Sequence, residues 1–360
     1  MASAKADSTL LARQNEWQGQ LESSVYIEAY YQYDFNKPAN GLRPAFVYSF
    51  HRNNIPSINL AMVKLNYNSM RFRANAAAMG GTYSMANMAN EPIYLRNIFE
   101  ANFGFKLLKQ KQLWLDAGVL PSHIGFESAT GKDCPTLTRS VLADNSPYFE
   151  TGLKMSYTTD NEKLLVSILV LNGWQRIKWI NGNTLPSFGW QVQGKPNSKL
   201  LINSSGFIGT DKADAEKKLR YFHNLYLTYS PTEKFTSTLG FDLGVEQQTK
   251  NSKVYSLWYS PAIIARYLPL KQLAIAARAE YYSDKHGVIV SAVSPKGFQT
   301  LGYSLNIDAL PTNDMIFRVE GKLLQSVSGK NFETTNGTYT TLSPSIAISF
   351  CYSFTHKFFQ

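Results

Sequence analysis

The chain has 360 residues, of which 17% are charged and 13% aromatic, and it carries a formal net charge of +10. No stretch contains 18 consecutive apolar residues, which excludes a transmembrane helix. The basic residues are dispersed along the chain, which argues against a nucleic-acid-binding protein. A membrane protein of this composition must therefore be a closed β-barrel, because only helices and closed barrels satisfy every backbone group in lipid.

Apolar and polar residues alternate strictly in many segments, of which residues 97–120 form the clearest hairpin. Phe103 and Phe105 alternate with Asn102 and Lys106, and the alternation resumes after a polar turn. Successive side chains of a strand face opposite sides, so each strand has one apolar and one polar face. The first such strand covers residues 23–35 and the last ends at 354. This recurrence favours a barrel with lipid outside over a soluble sandwich.

Two kinds of connection alternate between the predicted strands. Short turns are predicted at 66–69, 109–112, 159–162, 195–198, 231–234, 269–272 and 311–314. Longer connections are predicted at 36–57, 84–95, 121–147, 174–185, 210–220, 247–253, 284–297 and 327–341. Seven turns and eight loops join sixteen strands, an asymmetry typical of outer-membrane barrels with short periplasmic turns and long extracellular loops.

The predicted fold class is therefore all-β, a transmembrane antiparallel up-and-down β-barrel of about 16 strands. We expect a polar N-terminal tail at residues 1–20 and one barrel domain at residues 21–360. The two strands around residues 186–209 have the weakest alternation. Tyrosines and tryptophans, Trp174 and Trp179 among them, are expected to form girdles at the membrane interfaces.

Several segments resemble the OmpL-like β-barrel porin family of Bacteroidota outer membranes. They are 26–31 (YIEAYY), 115–118 (LDAG), 124–127 (IGFE), 147–152 (PYFETG) and 171–174 (LNGW). They cover the first half of the chain in the expected order, whereas the second half matches only in its pattern. The resemblance implies an integral protein of the bacterial outer membrane with a pore-like function, and it implies no particular solute.

The charged residues on the polar strand faces are expected to line the lumen, with acidic and basic groups nearly balanced. One set lies near the short turns and predicts a basic patch: Lys64, Arg71, Arg73 and Lys106. Other lumen charges are Glu100, Asp116, Asp242, Arg278, Glu280, Arg318, Glu320 and Lys322. An equally weighted alternative is that the basic patch pairs with Glu100, Asp116 and neighbouring acids into a neutral ladder.

The longest connection, residues 121–147, is also the third long loop. In trimeric general porins the third loop folds into the barrel and narrows it, so by position this loop is a candidate constriction. Its charged residues are Glu127, Lys132, Asp133, Arg139 and Asp144. A basic wall facing this loop would raise the local anion concentration.

Neither a catalytic centre nor a cofactor or metal site is predicted. His123 follows Ser122 in a long loop, and adjacent side chains on an extended chain point apart, so a surface histidine is the ordinary interpretation. Asp211, Asp214 and Glu216 could bind calcium, but the lysines among them favour a solvated loop. The two cysteines are too few for a disulfide framework and are expected to be free thiols.

Two functions fit this sequence. One is a porin for passive diffusion of small hydrophilic solutes, because sixteen strands leave an aqueous channel. The other is an accessory β-barrel with a plugged lumen, serving as a subunit of a larger outer-membrane complex. The expected partners are outer-membrane lipid or lipopolysaccharide, the solutes themselves, and either further copies of the chain or other outer-membrane proteins.

Overall fold

The computed structural model describes residues 18–358, and sixteen strands in it form one closed antiparallel barrel. The first eight are β1 (Gly19–Asp34), β2 (Ser57–Ser69), β3 (Phe72–Gly80), β4 (Ile98–Lys106), β5 (Gln112–Pro121), β6 (Phe149–Thr158), β7 (Leu164–Leu171) and β8 (Ser187–Asn197). The others are β9 (Leu200–Gly209), β10 (Arg220–Thr232), β11 (Phe235–Gln247), β12 (Tyr255–Leu270), β13 (Leu273–Asp284), β14 (Phe298–Ala309), β15 (Met315–Ser326) and β18 (Leu342–Lys357). The predicted strand number and order are confirmed, including the weakly patterned β8 and β9.

The barrel closes between its first and last strands. In β1, Tyr26 lies opposite Ser353 of β18 on one side and opposite Met62 of β2 on the other. Every barrel strand thus has two neighbours, and no barrel edge is left open among residues 18–358. A closed sheet leaves no row of unpaired backbone groups, which is the condition for spanning lipid.

The alternation read from the sequence separates the two faces of the wall. In β10, Tyr221, Leu225 and Tyr229 point outward and are exposed, whereas Phe222 and Asn224 point inward and are buried. The outward face is thus an apolar band between two tyrosines, as expected for a surface covered by lipid with aromatic rings at the interfaces. Within residues 18–358 no helix is long and apolar enough to cross a membrane.

The two ends of the barrel differ as predicted. At the short-turn end the connections are 70–71, 107–111, 159–163, 198–199, 233–234, 271–272 and 310–314. At the long-loop end they are loop 1 (35–56), loop 2 (81–97), loop 3 (122–148), loop 4 (172–186), loop 5 (210–219), loop 6 (248–254), loop 7 (285–297) and loop 8 (327–341).

The long loops contain short elements of their own. Loop 2 carries helix α1 (Thr82–Asn87) and loop 3 carries helix α2 (Val141–Asp144). Loop 8 forms a two-stranded hairpin of β16 (Phe332–Glu333) and β17 (Tyr339–Thr340). Single 3₁₀ turns lie at Ile93–Leu95, Gly131–Asp133 and Asp214–Glu216.

Several boundaries differ from the prediction by a few residues, and two of them affect predicted features. The first short turn lies at 70–71 rather than 66–69, because β2 continues its pairing with β1 up to Ser69 opposite Gly19. Arg71 is therefore a turn residue and not a strand residue. The predicted polar tail lies, except for residues 18–20, outside the described residues, and β1 already begins at Gly19.

Candidate functional site in the barrel lumen

Loop 3 lies inside the barrel and crosses its lumen. Near its start, His123 Nε2 lies 2.9 Å from the carbonyl oxygen of Gly206 on β9, and the Gly125 amide donates to Asn224 on β10 (3.2 Å). Further along, the Leu137 amide donates to Asn306 Oδ1 on β14 (3.0 Å). The loop therefore contacts wall strands on widely separated parts of the barrel.

One anchor of loop 3 is Arg318, which points inward from β15. Its guanidinium donates two hydrogen bonds of 2.9 Å to the carboxylate of Asp308 on β14. The same group donates to the carbonyl oxygens of Gly131 and Cys134 in loop 3, both at 2.7 Å. Arg318 and Asp308 are buried, so these charge-assisted hydrogen bonds are shielded from water.

A second anchor is built on Arg278 of β13 and Glu320 of β15. Arg278 donates to the carbonyl oxygen of Thr138 (2.7 Å) and to Thr136 Oγ1 (2.8 Å) of loop 3. Glu320 accepts from the Thr138 hydroxyl (2.8 Å) and pairs with Arg278 (3.1 Å). The loop segment around Thr138 is thereby hydrogen-bonded to both members of a buried ion pair.

Two further wall residues hold the end of this segment. Glu280 of β13 accepts from the Val141 amide (2.5 Å), and Lys322 of β15 donates to the carbonyl oxygen of Arg139 (2.9 Å). Lys322 also lies 3.5 Å from Glu280. Arg278, Glu280, Arg318, Glu320 and Lys322 therefore do not line open water, because loop 3 covers them.

Glu127 and Arg139 stabilise loop 3 internally. Arg139 is fully buried and donates to the carbonyl oxygens of Ser128 and Leu137 (2.7 Å each). Glu127 accepts from the Ser140 amide (3.1 Å), and burial raises the pKa of Glu127 above its ordinary value. These two predicted constriction charges are buried in the loop, because its own polar groups bind them.

The remaining charges of loop 3 lie differently. Lys132 and Asp133 are exposed and border a lumen cavity of about 620 Å³. Asp144, at the end of α2, is buried, and burial raises its pKa to about 7 although Lys322 and Arg139 oppose the shift. Asp242 lies apart on β11, buried, and accepts from Asn224 (2.6 Å).

The basic residues near the short turns are partly paired with acids. Lys64 of β2 lies 2.5 Å from Glu100 of β4. Arg73 of β3 donates to Asp116 of β5 (2.6 Å), and its guanidinium lies 4.4 Å from the centre of the Trp114 ring. Lys64 and Arg73 are therefore arranged as in the neutral-ladder alternative, with an acid beside each. Each acid lies two strands away, and the inward residue between the partners is small: Ala77 lies between Lys64 and Glu100. Gly104 likewise lies between Arg73 and Asp116, so the long side chains can reach across.

The other two predicted patch residues lie lower in the barrel. Arg71 is half-buried in the turn between β2 and β3, and it accepts the backbone hydrogen bond of Lys106 (2.9 Å). Lys106 is the last residue of β4, opposite Trp114 in the register. These four side chains follow the wall of β2–β5, which is the side of the lumen away from the anchors of loop 3.

A cavity of about 620 Å³ lies between loop 3 and this wall; we call it the lower cavity. Polar wall residues Lys64, Asn66 and Glu100 border it, together with Ser24 of β1. Its other side is formed by loop 3 residues that include Lys132 and Asp133. The lower cavity is therefore a space along β1–β4 that loop 3 does not fill, with both polar and apolar residues in its lining.

A second cavity of about 350 Å³, the upper cavity, lies on the long-loop side of loop 3. It is bordered by residues from loops 1, 2, 3, 4, 5 and 7. Carboxylate, amide and guanidinium groups line it together with aromatic rings: Tyr48, Asn87, Asn90, Glu91, Asp144, Asn145, Trp174, Gln175, Arg176, Asp211 and Arg220. Both cavities thus contain polar side chains that can hydrogen-bond to a hydrophilic solute.

The rest of the long-loop end is packed with apolar residues that the sequence pattern did not reveal. Phe46 of loop 1 packs at a tilt against Phe298 (ring centres 4.7 Å apart) and against Phe332 of the loop 8 hairpin (6.5 Å). Val290 of loop 7 belongs to the same cluster. The only sequence signal is apolar residues in loops, such as Phe46 and Val47, which alternation rules do not interpret.

The positions of one histidine and two tryptophans can be compared with the sequence interpretation. His123 is not a surface residue, because its Nδ1 lies 2.7 Å from Glu150 and the ring is buried. Trp174 is not part of an interface girdle, because it packs edge-on against Phe207 and Phe222 inside the barrel (ring centres 5.1 and 4.8 Å apart). Trp179 is exposed.

The acidic residues of loop 5 form local contacts. Asp211 accepts from the Trp174 amide (2.7 Å) and pairs with Arg220 (2.9 Å), while Asp214 accepts from the Thr184 hydroxyl (2.6 Å).

Among residues 18–358 no group of three potential ligands is arranged to hold a metal ion. Cys134 and Cys351 are buried and unbridged.

The closed wall, its lipid-facing apolar band and the loop-constricted polar lumen define an outer-membrane β-barrel of the porin class. The chain belongs to the family described as "Putative beta-barrel porin-2, OmpL-like", whose model matches residues 20–354. The protein is thus an integral outer-membrane barrel of a porin family, as the sequence resemblance implied. No curated protein matches the chain.

Solved porin structures share the fold at very low sequence identity. An anion-selective porin from Comamonas acidovorans has a TM-score of 0.59 and 8% identity, with 94% of this chain and 99% of that chain covered. Outer-membrane-expressed OmpT of Vibrio cholerae has a TM-score of 0.58 and 9% identity, covering 93% and 98%. The trimer form of in-vitro folded OmpT of Vibrio cholerae has a TM-score of 0.57 and 9% identity, with 93% of this chain and 99% of that chain covered. At these identities the likeness concerns the fold.

Proposed function

We propose that this porin is a narrow diffusion channel in which loop 3 acts as a fixed constriction. The observation that carries the proposal is the asymmetry of loop 3 in the lumen. The buried ion-pair anchors of loop 3, Arg278, Arg318 and Glu320, lie on β13 and β15. On the other side of the loop, the lower cavity lies between Lys132 and the wall residues Lys64 and Glu100. Solutes would pass along the wall that the loop leaves uncovered.

The lining supports passage of small hydrophilic solutes without a strong preference for either sign of charge. Lys64 and Glu100 face the lower cavity as a close pair, and Lys132 and Asp133 of loop 3 are adjacent. Opposite charges at short distance cancel most of each other's field, so local ion concentration changes little. The proposed role is transport rather than catalysis.

The proposal takes residues 21–360 as one barrel domain, since the barrel strands run from Gly19 to Lys357. Lipopolysaccharide is the proposed lipid partner at the long-loop end, where exposed lysines could pair with its phosphates. These lysines are Lys37, Lys178, Lys250, Lys253, Lys285, Lys296 and Lys330. Association into homo-oligomers is also proposed, since OmpT of Vibrio cholerae has a trimer form.

Planar-bilayer recording of the purified protein tests this function. We expect stepwise insertion of steady open channels whose conductance is lower than that of a sixteen-stranded barrel with an open lumen. Liposomes containing the protein should admit small uncharged sugars and exclude larger ones. Electrical silence of folded, heat-modifiable protein would overturn the proposal.

A plugged accessory barrel is the second candidate, and one observation favours it. Loops 1, 7 and 8 close much of the long-loop end through the apolar cluster of Phe46, Val290, Phe298 and Phe332. Apolar packing of this kind excludes water from that part of the lumen. Silence in bilayers, together with a partner protein that copurifies in a fixed ratio, would establish this second function in place of the first.

A further inference from the structure

A thin partition separates the upper and lower cavities, and two short segments form it. In loop 3, Asn145 and Ser146 border the upper cavity and the following Pro147 and Tyr148 border the lower one. Phe149, the first residue of β6, borders both. The change from one cavity to the other thus occurs within one residue. The partition is therefore only as thick as a few side chains.

Loop 2 supplies the other half of the partition. In α1, Tyr83 borders the lower cavity, whereas Ala86 and Asn87 border the upper one. The rings of Tyr83 and Tyr148 meet edge to face, with centres 5.8 Å apart. Hence the two cavities approach each other at this pair of tyrosines.

The two sides of the partition are held in place by hydrogen bonds outside the ring contact. Asn87 donates to the Tyr83 hydroxyl (2.9 Å), and the Tyr148 amide donates to Gln175 of loop 4 (2.8 Å). Glu91 of loop 2 accepts from the Ile177 amide (3.0 Å). Loops 2, 3 and 4 are therefore linked, while Tyr83 and Tyr148 touch each other only through their rings.

Unsatisfied polar atoms lie on the path through this partition. Within residues 18–358, the Tyr148 hydroxyl, Asp144 Oδ1 and Asn145 Oδ1 are buried without a hydrogen-bond partner. Asp144 is 4% exposed and borders the upper cavity. Because a buried polar group without a partner is costly, these atoms favour a solute that donates hydrogen bonds, such as a small polyol.

We propose that the Tyr83–Tyr148 pair is the barrier that a solute crosses between the upper and lower cavities. Asp144, Asn145 and Tyr148 accept hydrogen bonds from the hydroxyl groups of the solute as it passes. This inference rests on the proposed diffusion function. It places the narrowest point between loops 2 and 3, and not between loop 3 and the anchoring wall of β13–β15. Displacement of one ring opens the path.

Single-channel conductance of tyrosine variants tests the barrier. Tyr148→Ala and Tyr83→Ala should each raise conductance about twofold or more, because conduction depends on the diameter of the narrowest point. Tyr148→Trp should lower it. Tyr282→Ala is the matched control, since Tyr282 is a buried tyrosine of β13 that borders neither cavity, and it should leave conductance unchanged.

Thiol modification gives a second measurement that requires no substitution in the partition. Asn90→Cys places an exposed thiol at the upper cavity, and Val293→Cys places one at a different cavity, between loops 1, 7 and 8. The native Cys134 and Cys351 are buried. A bulky thiol reagent should reduce the current through Asn90→Cys and leave Val293→Cys unaffected.

The outcomes separate the two proposals. If the unsubstituted protein is silent, the diffusion function fails. If it conducts, but Tyr148→Ala and Tyr148→Trp leave conductance unchanged and both thiol variants respond alike, the diffusion function stands and the barrier is wrong. Flux of a polyol that falls in Asn145→Leu while chloride conductance is retained supports the hydrogen-bonding role, and equal loss of both contradicts it.

Discussion

Arg318 and Asp308 form a bidentate ion pair inside the barrel, with both N–O distances at 2.9 Å. The guanidinium uses its remaining donors on the carbonyl oxygens of Gly131 and Cys134. Arg318, whose charge is balanced by Asp308, thus also holds loop 3 in the lumen. Loop position and wall electrostatics are therefore coupled, and removing one charge affects both.

Arg318→Met should destabilise the barrel and loosen loop 3. Asp308 would lose its closest cation while buried, and loss of one partner of a buried pair costs roughly 3–5 kcal/mol. Urea-induced unfolding in lipid vesicles measures the stability, and current noise in bilayers reports movement of the loop. Arg266→Met is the matched control, because Arg266 is more exposed and lies 3.3 Å from the same carboxylate. Equal effects of the two substitutions would contradict an anchoring role for Arg318.

Charge selectivity should depend on the Lys64–Glu100 pair. Glu100→Gln leaves the Lys64 ammonium without its carboxylate at the edge of the lower cavity, so we expect a shift towards anion preference. Lys64→Met should shift preference towards cations. Reversal potentials under a KCl gradient measure both shifts, which added salt should reduce.

A pair at the surface serves as the control for this selectivity. Lys111 and Asp160 lie 2.6 Å apart on exposed short turns. Asp160→Asn removes the same kind of charge outside the lumen, where solvent and salt screen it. Its reversal potential should equal that of the unsubstituted protein, and a shift as large as that of Glu100→Gln would mean that selectivity arises from total charge.

The fold was predictable because its signal is local. Alternation with a period of two assigns every side chain of a strand to lipid or lumen, so Phe103 and Asn102 could be placed without knowing their partners. The alternation of short turns and long loops gave the strand number. Local errors remained at boundaries, as with Arg71, because pairing with β1 extends β2 beyond the point where its pattern fades.

The lumen was not predictable to the same extent, because its contacts join residues far apart in sequence. Thr138 meets Arg278 and Glu320, 140 and 182 positions away. Inward charge patterns look alike whether water or a loop covers them. Trp174 was misplaced for the same reason, since an aromatic residue near a strand end fits both an interface girdle and an internal cluster.

Charging the lipid-facing side of β10 should destabilise the protein in proportion to depth. Leu225 lies midway between the outward Tyr221 and Tyr229, so Leu225→Arg should cost roughly 2–4 kcal/mol. Thr228→Arg, three residues away on the lumen face and half-buried, should cost much less. Unfolding free energies measured in vesicles test this, and similar costs for the two variants would contradict the assignment of faces.

Asp144 should make both conductance and stability depend on pH near neutrality. Burial raises the pKa of this loop carboxyl to about 7, while Lys322 and Arg139 oppose the shift and Glu127 adds to it. Asp144 borders the upper cavity, and its Oδ1 is buried without a hydrogen-bond partner. As pH rises through 7, a negative charge appears there, so cation preference should increase with a midpoint near 7.

The stability effect has the opposite sign to that of an ordinary ion-paired carboxylate. The folded protein holds this proton up to about pH 7, whereas an unfolded chain releases it near the ordinary value of 3.8. The folded state therefore binds more protons between these values, and its stability should fall as pH rises from about 4 to 7. Asp144→Asn should flatten the pH dependence of both stability and ion selectivity. Asp214→Asn is the control: Asp214 accepts a hydrogen bond from the Thr184 hydroxyl in loops 4 and 5, and its substitution should leave both pH dependences intact. If the selectivity change persists in Asp144→Asn, another group of the lumen, such as Glu127, carries it.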